Sequence, residues 1–231
     1  MEKKKNILIS SNGSSIAKIL SNCLVSHNTN FINDKDLIYS NPKELEKLFE
    51  KIDVYVHIGF KGFLAKDEME LIDYHTRVTY DLLFAAGKKN VEKVISISTL
   101  ELYKDYEANL TVSENWETKF PLDQPELLCA NLSEKVCKEF ARDQVFEVIN
   151  LRLGDLRENS DKRLSEEKFK KTIDLMVNLD FSSEELKQTK NPFNSARKKG
   201  PNWINFHLQD TFEGQKFLTN KIDNLIGVCE K

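Results

Sequence analysis

Residues 7–17 read ILISSNGSSIA, and the architecture follows from how this stretch is parsed. Asn6–Ser10 is a short apolar run that stops at a Ser/Gly turn, so it predicts a buried strand. Ser14–Val25 then carries Ile16, Ile19, Leu20 and Leu24 at helical spacing. Strand, tight turn, helix is one unit of an alternating chain, and the same unit recurs downstream. Phe31 and Ile32 mark a second short strand. Asn41-Pro42-Lys43-Glu44 is a helix start, with Asn41 as N-cap, Pro42 in the first turn and Glu44 reaching back, and that helix runs to about Lys51. Asp53–Ile58 (DVYVHI) is a strand, about 66–89 a long amphipathic helix, Val94–Ser98 (VISIS) a strand, about Pro125 to Arg142 a helix, and Glu147–Arg152 (EVINLR) a strand. Short apolar strands joined by helices predict an α/β fold: a parallel sheet with helices on both faces and right-handed crossovers.

Beyond Gly154 the pattern becomes charged. It predicts a helix near 165–178, another near 183–190, the loop NPFNSARKKGP, a strand in WINFHL and a helix over 209–220. We therefore read 1–154 as one α/β domain and 155–231 as a mostly helical lobe that is not an independent domain.

The 231 residues carry 31% charged side chains and a net charge of -3. That balance offers no electrostatic case for nucleic acid or an anionic membrane. No apolar run is long enough to span a bilayer, and we expect a cytoplasmic protein. Cys23, Cys129, Cys137 and Cys229 form no C-x-x-C pair and have no histidine at ligand spacing, so they read as buried free thiols, and no metal site is expected.

Five segments in order resemble the extended short-chain dehydrogenase/reductases, the NAD-dependent epimerase/dehydratases of nucleotide sugars. They are ILISSNGSSIAKIL, DLIYSNPKELEKLFEKIDVYVHIG, HTRVTYDLLFAAGKKNVEKVISISTLELY, FEVINLRLGDL and WINFHLQDTFEGQKF. The resemblance implies that 1–154 is a Rossmann-like domain and 155–231 a reduced lobe. It also implies NAD or NADP as cofactor, a catalytic Ser/Thr with a Tyr-x-x-x-Lys pair, and a dimer through the long helices near 66–89 and 125–142.

The departures from that pattern bear on function. The family's G-x-x-G-x-x-G turn falls on Ser11, Ser14 and Ala17, with Gly13 displaced by one. Ser11 in such a turn takes a strained backbone, and Ser14 adds a side chain where a diphosphate lies in the family. Ser11, Gly13, Ser14 and Ser15 remain candidates for anion binding at a helix N-terminus, but capping of the first helix is the reading we prefer. Gly13 and Ala17 are the residues the turn is expected to need. Between the first helix and Asn41 there is room for one strand where the family has a strand, a helix and a strand, so its ribose-gripping acid is displaced. Asp34 or Asp36 is the candidate substitute, and both also read as turn formers.

Thr99 matches the catalytic Ser/Thr. With Pro125 on the family's proline and Glu134 on its glutamate, Glu126 takes the tyrosine's place and Ala130 the lysine's. Glu126 is thus a candidate carboxylate base, although Asp123-Gln124-Pro125-Glu126 also reads as a capping box. His57 matches a family histidine at a strand end and is a candidate cofactor contact; it reads as a packing residue. His75 reads as a partly exposed helix histidine. Tyr103, Tyr106, Trp116 and Phe120 either line a pocket or cover the sheet edge.

The resulting expectation is a degenerate member without epimerase or dehydratase chemistry. It would be a binding, regulatory or scaffolding protein near sugar-nucleotide or natural-product metabolism, with no cofactor, or NAD or NADP if any. The alternatives are an active NAD(P)-dependent enzyme with a relocated acid/base among Glu126, Tyr103 and Tyr106, and a nucleotide-binding sensor without turnover. A small-molecule or nucleotide ligand is common to all three.

Overall fold

The computed structural model describes residues 4–11, 13–33, 37, 41–156, 160–181 and 202–229. Asp34, Asp36 and the helix expected near 183–190 with its loop lie outside these residues, as does the side chain of Cys229.

The chain alternates as read: β1 (Asn6–Ile9), α1 (Ser15–Cys23), β2 (Asn28–Phe31), α2 (Pro42–Leu48), β3 (Val54–Ile58), α3 (Glu68–Asp73), α4 (Thr79–Lys88), β4 (Lys93–Thr99), α5 (Pro125–Arg142), β5 (Glu147–Leu153), α6 (Glu166–Asn178), β6 (Trp203–Leu208) and α7 (Asn220–Cys229). The six strands form one sheet in the order β2-β1-β3-β4-β5-β6, every neighbouring pair parallel. Two-residue periodicity sorts the strand side chains onto two faces. Ile7, Ile9, Val56, Ile97, Leu151 and Phe206 pack with α1, α6 and α7; Leu8, Tyr55, Val94 and Val148 pack with α2, α4 and α5.

The C-terminal residues add β6 to the same sheet and α6 to one of its faces. Lys93, at the start of β4, secures that helix. Its buried Nζ donates to the carbonyls of Met176 and Val177 at 3.1 and 3.2 Å, and also to that of Leu179, taking up the open acceptors of the α6 C-terminus.

Three expectations change. The helix predicted over 209–220 is irregular chain over 209–219, and the helix is 220–229 instead. In the irregular part Asp210 accepts from the Ser165 N–H and hydroxyl at 3.0 and 2.8 Å, and Thr219 donates to Asp223 at 2.6 Å, so side-chain bonds replace a helix turn. The long helix starts at Glu68, and Tyr74–Val78 forms a π-helical turn in its middle. Asp123–Glu126 makes no capping box: the cap of α5 is Gln124, without a side-chain hydrogen bond. The box at Asn41–Glu44 is present as read.

Candidate functional site

In a parallel sheet, ligands sit beyond the carboxyl ends of the strands, where the strand order reverses. Here the chain runs from β1 outward to β2 and returns to β3 on β1's other side, so the reversal lies at β1 and β3. A crevice of about 380 Å³ lies against that edge. Ser15 and Ile16 of α1, Phe60 and Lys61 after β3, Ser98 and Thr99 of β4, and Leu153–Leu156 at the end of β5 and just beyond it line it, with Glu101 and Lys162. Lys162 and Glu101 face each other at 2.7 Å. The Thr99 hydroxyl accepts the Glu101 N–H at 3.1 Å, which caps the short 3-10 turn Leu100–Tyr103.

The β1–α1 turn has the strain expected of a serine in place of glycine: Ser11 sits at φ 62. It is fully buried, its Oγ lies 3.4 Å from the Tyr74 hydroxyl, and a Cβ added at Gly62 would come within 2.8 Å of it. The chain after β3 is therefore packed directly on the turn. The Ser14 hydroxyl accepts the Ala17 N–H at 3.0 Å and caps α1, while Ala17 is buried beneath. Ser15 alone of the turn's serines lines the crevice. Gly13 is not the residue the turn requires: a Cβ there meets nothing within 4 Å, and its φ is not positive. Set against a dinucleotide's demands, a pyrophosphate cradle needs open backbone N–H groups and no intruding side chain. This turn supplies a capped helix and a serine under a loop, so it does not fit that role.

The candidate catalytic residues are not brought together. Thr99 lines the crevice, whereas Glu126 is exposed and lines a different groove, with Phe63, Leu64 and Asp67. Tyr103 is buried outside the crevice: its hydroxyl donates to the Trp116 carbonyl at 3.0 Å and accepts from Arg152, and burial pushes its pKa up to about 12. The Tyr106 hydroxyl donates to the Glu117 carbonyl at 2.8 Å. Tyr106 and Trp116 pack on Tyr103, Val112 and Phe217, so that part of the aromatic loop covers the sheet edge; Phe120 is exposed. One Tyr-x-x-x-Lys spacing occurs in the chain, Tyr39 to Lys43, but Tyr39 lies outside the described residues.

Arg152 on β5 grips Glu134 on α5 with two bonds of 2.9 and 2.7 Å, both groups almost fully buried. Burial opposes both charges, but their attraction outweighs it: the Glu134 carboxyl is held below its usual range and the Arg152 guanidinium above.

His57 is fully buried, with Nε2 2.6 Å from the Ser133 hydroxyl and Nδ1 3.2 Å from that of Tyr55. Burial pushes it down to about 4. It is a packed, hydrogen-bonded group and does not line the crevice. His75 is not the surface residue expected of a helix histidine. It is buried in the π turn, edge-on to Tyr74, and burial first, then His57, push it down to about 3. The π turn rotates it inward, and no periodicity argument foresees that. Lys61, Lys162 and Glu101 of the crevice carry no sequence signal either: the lysines lie in loops and Glu101 in a single 3-10 turn, and Lys162 is remote from the others in the chain.

Residues 17–171 match the model of the NAD dependent epimerase/dehydratase family. The chain belongs to that family. The matched segment begins at Ala17, past the altered turn. No curated protein matches the sequence significantly. Among solved structures, a point mutant of uronate dehydrogenase from Agrobacterium tumefaciens in complex with NAD is similar with a TM-score of 0.71 at 12% identity, over 96% of this chain and 83% of that one. Glucuronic acid dehydrogenase from Chromohalobacter salexigens gives 0.70 at 12%, over 97% and 84%. UDP-glucuronic acid 4-epimerase from Bacillus cereus in complex with NAD gives 0.63 at 16%, over 90% and 78%. At these identities the likeness is one of fold. No helix among the described residues is long and apolar enough to cross a membrane.

Proposed function

We propose that this chain is a family member without epimerase or dehydratase chemistry, acting as a binding, regulatory or scaffolding protein near sugar-nucleotide or natural-product metabolism. One observation carries the reading: among the described residues, the crevice that holds Thr99 is lined by no tyrosine or histidine, and its ionisable groups are Lys61, Glu101, Asp155 and Lys162, with Glu101 and Lys162 paired to each other. Glu126 lines another groove, and the hydroxyls of Tyr103 and Tyr106 are committed to backbone carbonyls. The turn supports the same reading, because its serines cap and pack where a cofactor's diphosphate would need open backbone. We accordingly propose that no dinucleotide is held in the family's manner.

The test is thermal. NAD, NADH, NADP and NADPH at millimolar concentration are expected to leave the melting temperature unchanged. A ligand far above its Kd must stabilise the fold, so a shift of several degrees with any of them sinks the proposal. Ser15 at the α1 N-terminus, with Lys61 and Lys162 across the crevice, favours a second reading. In it a smaller nucleotide or other small molecule binds and is sensed without turnover; tight binding without product formation would distinguish it.

We also take the protein to be cytoplasmic and 155–231 to be an extension of the one domain, a view supported by β6 joining the sheet. A homodimer through α3–α4 and α5 is supported by the exposed rings of Tyr80 and Phe84, with Phe140 packed against Tyr80. A monomer in sedimentation at micromolar concentration would remove that part.

A further inference from the structure

The groove that contains Glu126 shares no residue with the crevice. It measures about 580 Å³ and lies where the N-termini of α3 and α5 converge. Phe63, Leu64, Ala65, Leu71 and Leu127 give it an apolar floor. Asp67, Glu68, Asp123 and Glu126 stand on it as exposed carboxylates, and no lysine or arginine is among its lining residues. Leu64 is 87% exposed, and Leu122, next to Asp123 in the chain, is 80% exposed. Leu64 thus adds an exposed apolar side chain to the groove, Leu122 stands beside it, and carboxylates rim both.

We propose that this groove docks a basic, amphipathic segment of a partner protein, its apolar residues on Leu64 and Leu127 and its lysines or arginines on the four carboxylates. Charge selects this occupant. A second copy bound about a two-fold would set the same four carboxylates against their own images. An anionic lipid surface would be repelled by them. A small cation alone would leave the leucines in water. A helix laid in a groove by its apolar face, with steering charges at the rim, satisfies both features. The inference goes beyond the loss of catalysis and does not rest on it.

The probe is a fluorescein-labelled helical peptide with leucines on one face and lysines on the other, read by anisotropy against the full-length protein. Saturable binding is expected that weakens with salt. It should fall by about tenfold or more with Asp123→Lys plus Glu126→Lys, and likewise with Leu64→Ser. The control Glu167→Lys plus Glu213→Lys makes the same change in net charge at residues that do not line the groove, and should bind as the wild type does. A peptide with serines in place of the leucines should not bind. If a melting curve shows that Leu64→Ser disturbs the fold, Leu64→Ala replaces it. The proposal is overturned by absence of saturable binding, by equal weakening in the control, or by a self-association that Leu64→Ser abolishes. Nucleotide binding is not read by this assay, so its failure leaves the preceding proposal standing.

Discussion

Two buried polar groups on the same side of the sheet are built on opposite principles. At the β4–β5 end, Arg152, Glu134 and Tyr103 form a charged network in which each partner is engaged by another. At the β1–β3 end, Ser11, Tyr74, His57, His75 and Ser133 are neutral; one sits at a strained φ, and His75 Nδ1 has no hydrogen-bond partner among the described residues. The first group holds its charges because they are mutually paired. The second holds together only while its histidines stay uncharged. The first ties α5 and the aromatic loop to β5, while the second lies under the turn where the family's glycines stood. The charged end should therefore fail when a partner is removed, and the neutral end when protons are added.

The largest effect is expected at the charged end. Arg152→Met leaves the buried Glu134 carboxylate without its partner and should lower the unfolding free energy by about 3–5 kcal/mol in a urea titration. Arg152→Met combined with Glu134→Met removes both charges and should recover most of that loss. If the double variant is as unstable as the single one, the network does more than neutralise a buried charge, and the contrast between the two ends needs redrawing.

Acid attacks the neutral end. His57 and His75 have folded pKa values pushed down to about 4 and about 3, against an unfolded value of 6.5. A depressed folded pKa means that the unfolded chain takes up the proton first. The stability these residues confer is complete above pH 6.5 and is lost as pH falls through their folded values. By pH 5 the loss should be roughly 2 kcal/mol for each, seen as a falling urea midpoint. His207, packed against Tyr103, is also pushed well below 6.5 by burial and adds to the same slope, so replacing His75 with Gln should flatten it by about a third. A midpoint that does not move between pH 7 and pH 5 would show that these rings are not held neutral.

The alternation of apolar runs and helical periods made the parallel sheet legible, because burial on both faces leaves strands that are apolar throughout, as in VISIS. The strain at Ser11 was legible too, since the turn's geometry demands what only glycine adopts freely. The inward His75 was not, because a π turn shifts the helical phase by local hydrogen bonding that composition does not record. Nor was the helix at 220–229 placed correctly, because side-chain bonds from Asp210 and Thr219 keep 209–219 irregular despite its helical spacing. The crevice was legible only as a location. Its lining comes from five separate segments, and which loop residues meet there depends on tertiary closure.

The smallest effects probe the turn itself, where two neighbouring positions should respond in opposite ways to their apparent importance. Ser11→Gly removes a side chain from a backbone at φ 62 and so relieves strain, but it also removes an Oγ that lies near the Tyr74 hydroxyl. A left-handed conformation costs a non-glycine residue of order 1 kcal/mol, and the lost side-chain contacts together with glycine's freer unfolded chain offset much of that relief, so a net gain of about 0.5 kcal/mol or less is expected. Gly13→Ala is the complementary case. Gly13 lacks a positive φ, and an added Cβ meets nothing, so the change should stay within about 0.5 kcal/mol, with a slight gain from the stiffer unfolded chain. If Gly13→Ala instead costs more than Ser11→Gly gains, the turn samples a second conformation that needs the glycine. In that conformation the serines would be released from their packing, and the turn would be open to an anion after all.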